Sequence, residues 1–408
     1  MRKSESWSGF ADRIGSVRSR WTARNKAAKY PETNHPKTMS SDHSTKLGPG
    51  LAPSGQRQVV RERPVERIVI YRLGSLGDTM VALPCLHKVA AVFHTAERYV
   101  LTNIPVSSKA APLETILANS GLIHGVVTYP VGLRAARELW ALARRLRALG
   151  ASTMVYLNES RGPFTVYRDL IFFRLCGFTR IIGAPTGSGL FGKRAASADG
   201  ELVQECVRLT GAIAELGPID LDSRENWDLR LTEQERDAGR RAVAPFGARP
   251  FIAINMGGKA AENHWGNENW RRLFGELAKT HAEYGLLVIG GAEDAVCVAE
   301  VTADWPSPVE NACGRLKPRE SAAALENASL FVGHDSGPMH LSAACGIDCV
   351  ALFSGRHRPR KWHPYGPRHR VIHRMEGISA IRVEEVAAAV RASLPASSSA
   401  ATKMQIKS

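Results

Sequence analysis

The residues best suited to chemistry stand in one short run, Leu330 to Gly346, which reads LFVGHDSGPMHLSAACG. An apolar strand from Ser329 to Val332 is expected to turn at Gly333 and deliver Asp335, Ser336 and Gly337 to the start of a helix. Pro338 suits the first helical position, where its missing N–H costs nothing. Asp335 or Ser336 can cap that helix, and the small residues leave its free backbone N–H groups open to a ligand. The chemistry this favours is anion binding of the kind that holds a diphosphate. His340, two positions beyond Pro338, stays near the same mouth. For the string alone, a capped strand–turn–helix serving only the fold is the competing reading.

A second carboxylate, Asp78, closes the string RLGSLGD at 72–78. Gly74 and Gly77 permit a tight turn after a buried strand at Ile68–Tyr71, as in the first βα turn of a nucleotide-binding fold. The third glycine of GxGxxG is missing, so the string does not specify a dinucleotide. Asp78 falls at the N-terminus of a helix expected over Thr79–Val92, where capping is its ordinary role. His87, His94, His124 and His281 stand singly, and His357 and His363 have no cysteine or carboxylate cluster beside them, so no metal site is expected. Arg356, Arg358, Arg360 and Lys361 form a basic loop after what reads as the last strand, at an edge where a phosphate could sit.

The elements that must position these residues alternate. Strands are expected near Arg98–Thr102, Val126–Tyr129 and Thr153–Leu157, with helices at Leu113–Ala118 and Leu133–Leu149 and a basic loop carrying Arg161 and Arg168. Gly217, Pro218, Asp220 and Asp222 read as a linker, and a helix begins at Leu231–Glu235. A second series follows: strands at Phe251–Asn255, Leu286–Ile289 and Cys349–Phe353, and a helix from Asn267. Such alternation predicts parallel, doubly wound sheets, and two such units make a cleft.

The 408 residues allow two or three domains, and 44% hydrophobic with 23% charged residues is ordinary for a globular protein. The net charge of +15 is not ordinary, and it points to nucleic acid, acidic headgroups or phosphorylated substrates. The first 60 residues hold 11 Lys and Arg against 4 acidic residues, a net +7. There Trp7, Phe10, Ile14, Val17 and Trp21 recur at helical spacing among arginines. That pattern fits both a basic amphipathic helix on an anionic membrane and a disordered extension. Seven scattered cysteines without a CxxC pair read as reduced thiols in a cytosolic compartment.

Three strings, in order, resemble motifs of glycosyltransferase family 9, the ADP-heptose:lipopolysaccharide heptosyltransferase family. They are RLGSLGD, NMGGKAAENHWGNENW, and VGHDSGPMHLSAACG followed by FSGRHRPRKWHPYG. The resemblance covers most of 67–375. It implies a GT-B fold of two Rossmann-like domains: 67–230 on the acceptor side and 231–395 for the nucleotide sugar, flanked by a basic tail at 1–60 and a second tail at 396–408. It also implies inversion at the anomeric carbon, without metal or other cofactor. Asp78 matches the family's proposed general base, which takes a proton from the acceptor hydroxyl. Asp335, Ser336, Gly337 and His340 match the diphosphate and donor-sugar region, and Glu293 an acidic residue that receives ribose hydroxyls. Well-known members have a lysine before the His-Trp pair, where this chain has Asn263. Here Lys259 follows Gly257-Gly258, as in another branch, and would offset charge on the leaving diphosphate. This departure leaves the donor sugar open. Arg161 and Arg168 are the candidate acceptor contacts.

The function so implied is transfer of a sugar, with ADP-heptose as donor, to a lipopolysaccharide or other glycan acceptor. The expected setting is the cytoplasm, with peripheral contact to the anionic inner membrane and no nucleic-acid partner. The alternative is a non-catalytic nucleotide-binding module with a transferase-like fold. Asp78 separates the two, since a binding module needs the diphosphate loop but no base across the cleft.

Overall fold

Each apolar run too short or too evenly apolar for a helix forms a strand, and in most cases a helix after it returns the chain to the same end. The paired strands among the described residues are parallel. In the computed structural model residues 65–104, 111–185, 187, 202–258 and 261–394 are described, within one compact unit, Arg63–Ser408. The basic segment 1–60, the segment 396–408 and Lys259 lie outside the described residues.

The first sheet holds β1 (Arg67–Tyr71), β2 (Glu97–Ile104), β3 (Gly125–Pro130), β4 (Thr153–Tyr156) and β5 (Arg180–Ile182), in the order β3-β2-β1-β4-β5. Its helices are α1 (Leu76–Val81), α2 (Leu83–Val92), α3 (Leu113–Leu117), α4 (Ala136–Ala148), α5 (Pro163–Leu175) and α6 (Glu205–Ala212). The second sheet holds β6 (Phe251–Asn255), β7 (Gly285–Val288), β8 (Val309–Asn311), β9 (Leu330–His334), β10 (Cys349–Phe353) and β11 (Arg370–His373), in the order β11-β10-β9-β6-β7-β8. Around it lie α7 (Glu233–Val243), α8 (Asn267–Ala278), α9 (Ala295–Val301), α10 (Pro318–Leu325), α11 (Gly337–Ala344) and α12 (Val383–Ser393). Counted from its own first strand this sheet runs 6-5-4-1-2-3, the Rossmann order. Its topological switch point, where ligands bind, lies between β6 and β9.

One buried cluster runs from Ile70 and Met80 to Met339 and Phe353, so the two sheets share packing. A buried arginine joins them further. Arg319 on α10 makes a two-pronged ion pair with Glu235 at 2.7 and 2.9 Å and donates to the carbonyls of Ile116, Leu229 and Arg230. Burial opposes the charge on Glu235, but the Arg319 guanidinium and the Thr232 cap outweigh it and draw that carboxyl down to about 2.

The structure corrects several expectations. The helix expected at Thr79–Val92 starts earlier and is two helices, meeting at Ala82, because Pro84 opens a new first turn. Gly333 does not turn the chain. It sits within β9, pairs with Asn255 and Ala351, and a Cβ there would lie 2.8 Å from the Phe331 ring and 2.9 Å from the Asn255 carbonyl. Pro338 is the second residue of α11, behind Gly337. Arg168 is on α5 rather than in a loop. The basic run at 356–361 follows β10, which is not the last strand, since β11 comes after it. The seven cysteines are free thiols, and burial pushes those of Cys206, Cys313 and Cys345 up to about 12.

Candidate active site

The switch point of the second sheet is built around an asparagine. Asn255, the last residue of β6, donates from Nδ2 to the Ile289 carbonyl at 2.9 Å and accepts the Ser336 hydroxyl at 2.8 Å. Ser336 therefore occupies the N-cap position of α11 without capping it through its side chain. Its hydroxyl is turned to the sheet, while the helix's first turn faces the cleft. The first sheet repeats the device. Asn158, after β4, accepts the Leu73 N–H at 2.9 Å and donates to the Tyr71 carbonyl at 3.0 Å, steadying the loop that leads to α1.

That loop places Asp78. Ser75 is the N-cap of α1, so Asp78 is the third helical residue, and its Oδ2 accepts the Ser75 N–H at 2.9 Å. This is the reciprocal half of a capping box. Oδ1 lies 3.9 Å from the Arg72 guanidinium. Arg72 is buried and donates instead to the carbonyls of Asp78 and Leu157, at 2.6 Å each. Gly74 is required here: its φ is +118°, and a Cβ would lie 2.2 Å from the Asp78 Cγ.

The N-termini of α1 and α11 meet head to head across the cleft. A Cβ on Gly77 would stand 2.9 Å from the His340 ring, and one on Gly337 2.9 Å from the Leu76 side chain. Between the lobes opens a cavity of about 550 Å³, lined by Asp78 from the first and by Glu293, Asp335, Ser336, Gly337 and His340 from the second. That is the volume of a small-molecule site. Arg161 and Arg168 are not among its lining residues; both are exposed on the approach to α5 and on the helix itself.

Electrostatics within the cavity are uneven. Burial lifts the Asp335 carboxyl to about 7; Arg356 pulls the other way, and Asp78 adds to the rise from across the cleft. Burial holds His340 down at about 4, with only Asp78 opposing it, so its ring is neutral and packs edge-on to Trp362. His357, 3.7 Å from Asp335, is likewise held at about 4, chiefly by burial and then by Arg356. Arg356 lines the cavity while pairing with Glu262 at 2.9 Å. Arg356, from the basic run noted in the sequence, thus brings a guanidinium to the cavity that the N-terminus of α11 also lines.

Two site residues carry no local sequence signal. Asp294 accepts the Gly291 N–H at 2.8 Å and fills the space that side chains at Gly257 and Gly290 would need, at 2.1 and 2.4 Å. His334, fully buried in β9, accepts the Trp265 N–H at Nε2 and so donates from Nδ1 to the Gly257 carbonyl, both at 3.3 Å. It ties the glycine loop to the His264–Trp265 pair. Among the described residues no three His, Cys, Asp or Glu side chains are grouped so as to hold a metal ion.

Two Rossmann-like halves with the site in the cleft between them define a GT-B-type fold. Solved structures agree. A family 9 glycosyltransferase from Veillonella parvula DSM 2008 superposes with a TM-score of 0.62 at 19% identity, over 81% of this chain and 98% of that one. The ADP-heptose lipopolysaccharide heptosyltransferase II of E. coli gives 0.58 at 17%, over 80% and 98%. The chain belongs to glycosyltransferase family 9 (heptosyltransferase), whose family model matches residues 183–388. Among curated relatives, lipopolysaccharide heptosyltransferase 3 of Escherichia coli (strain K12) is 24% identical over 173 residues, 38% of this chain. That match spans half the length of the relative.

Proposed function

We propose that this protein transfers a heptose from ADP-heptose to a lipopolysaccharide or related glycan acceptor, with inversion and without a metal ion, in the cytoplasm. The observation that carries this is a cavity lined both by Asp78 and by the N-terminal residues of α11. The donor diphosphate lies on α11, where backbone N–H groups and the helix dipole meet its charge. Glu293 receives the ribose hydroxyls. The acceptor oxygen attacks the anomeric carbon, the bond from that carbon to the diphosphate oxygen breaks, and its electron pair leaves with ADP. The acceptor proton passes to Asp78 Oδ1, since Oδ2 is held by the Ser75 N–H.

Charge gathering on the diphosphate is met by α11, by Arg356 and by Lys259. Asp335, with its carboxyl lifted to about 7, is about half protonated near neutral pH and repels the diphosphate less than an ordinary aspartate. The relatives named above carry ADP-heptose and lipopolysaccharide in their descriptions, which supports this donor and acceptor. Arg161 and Arg168, outside the cavity, are proposed to meet the anionic distal part of an extended acceptor. The test is a single-turnover incubation with ADP-heptose and a defined lipopolysaccharide core, following ADP release and the configuration of the new bond. Tight ADP-heptose binding with no transfer to any core acceptor would move the protein to the nucleotide-binding class.

A further inference from the structure

Helix α5 is apolar on two opposite sides. One side is core, with Val166 and Phe173 buried. The other presents Phe164, Tyr167, Ile171 and Leu175, which are 82%, 55%, 61% and 65% exposed. Their spacing of 3, 4 and 4 residues puts them in one stripe, within an arc of about 80° at 100° per residue. On the same count Arg168 and Arg174 fall about 20° outside its two borders. The neighbouring α4 is joined to α5 where the Arg147 guanidinium donates to the Leu175 carbonyl at 2.7 Å. It adds Trp140, 58% exposed, with the Arg144 guanidinium 4.7 Å above its ring.

Among the described residues, these two helices hold five of the eleven large apolar side chains that remain exposed. Scattered exposure needs no explanation, but a contiguous stripe does. From Arg134 to Leu175 there are eight arginines against three acidic residues, a net +5. An aromatic and aliphatic stripe bordered by arginine is what lies at the headgroup level of a membrane, with the apolar side chains below and the guanidinium groups among phosphates. A second copy of the chain fits poorly, because a twofold contact would set +5 against +5. Neither α4 nor α5, at 13 residues each, is long enough to span a bilayer.

We propose that the outward face of α4 and α5 docks on an anionic lipid bilayer, with the α5 stripe entering the boundary between headgroups and acyl chains. Helix α5 starts at the carboxyl edge of the first sheet, five residues after Asn158, the side chain that steadies the loop to Asp78. The docked face therefore adjoins the cleft, where a membrane-anchored acceptor would be presented.

The experiment is flotation of the full chain with phosphatidylcholine vesicles and with vesicles containing phosphatidylglycerol, without donor or acceptor. Its outcome is thus independent of the transfer reading. The segment 1–60 is present in every protein compared, so its contribution is common to all. The chain is expected to float with the anionic vesicles, and less so as salt rises. Phe164→Ser, Ile171→Ser and Leu175→Ser together should weaken that binding about tenfold or more, with the melting temperature retained because all three side chains are exposed. Arg137→Glu with Arg144→Glu, which leaves the stripe intact, should weaken it as well and flatten the salt dependence. Wild-type vesicle binding by a folded stripe variant overturns the proposal. So does a wild-type chain that ignores anionic vesicles but self-associates through a contact which the stripe variant abolishes.

Discussion

Replacing Asp78 by Asn separates the capping contact this side chain makes from its proposed role as general base. Asn keeps an oxygen to accept the Ser75 N–H, now made at 2.9 Å, so the cap of α1 survives in large part. What disappears is the negative charge in the first turn, about 0.3–1 kcal/mol at a helix N-terminus. The Arg72 guanidinium, 3.9 Å from Oδ1, is anchored on carbonyls instead and stays in place. The stability loss should therefore remain below about 2 kcal/mol. Against a typical stability of roughly 5–15 kcal/mol the fold stays populated. Loss of a general base, by contrast, costs about 100- to 10,000-fold in rate, or about 2.7–5.5 kcal/mol of barrier. The assay is single-turnover transfer at saturating donor, paired with a donor titration and a melting curve. The expected result is slow chemistry, near-normal donor affinity and a small drop in melting temperature. Turnover within a few-fold of wild type would remove Asp78 from the chemistry and leave it a helix cap.

Gly74→Ala should slow transfer without touching an ionisable group, since its Cβ would collide with the Asp78 carboxylate at a positive φ; wild-type rates in a folded variant would show that the carboxylate has freedom to shift. Donor affinity for a nucleotide sugar should weaken as pH rises through about 7, where Asp335 gains its charge, and isothermal titration of Asp335→Asn should show no such step. The same carboxyl has its folded pKa raised, so the native state binds the extra proton between about 4 and 7 and stability falls as pH rises across that window. Asp335→Asn should then melt higher than wild type at pH 8, with the rise from 3.8 to about 7 capping the gain at about 4 kcal/mol. ADP at about 100 times its dissociation constant should add roughly 2.7 kcal/mol of stability, equally with and without a chelator; a thermal shift that needs added Mg²⁺ would end the metal-free reading.

The parts of the fold legible in sequence are those whose cause is local. The run from Leu330 to Gly346 shows an apolar strand, small residues and a helix start in immediate succession, and the structure has each of them. Asp78 is visible for the same reason, as a carboxylate after a glycine turn. Pro84 also carried a readable signal, and it marks where the expected single helix divides. What could not be read depends on neighbours distant in sequence. Gly333 looks like a turn residue, but its lack of a side chain answers to the Phe331 ring and to β6 alongside. Asp294 looks like one more acidic loop residue until Gly257, 37 positions earlier, is brought against it. Asn158 and Asn255 gain meaning only once the sheet order puts a switch point beside each.

Arg319 gives the chain a timetable during synthesis. The first sheet is complete once β5 has emerged at residue 182, so that half can assemble while the rest is still being made. Yet the carbonyls of Ile116 and Leu229, which the finished molecule satisfies with a buried guanidinium, have no such donor until residue 319 leaves the ribosome. Because one guanidinium serves both those carbonyls and Glu235, this contact between the halves can be completed only after residue 319 has been made.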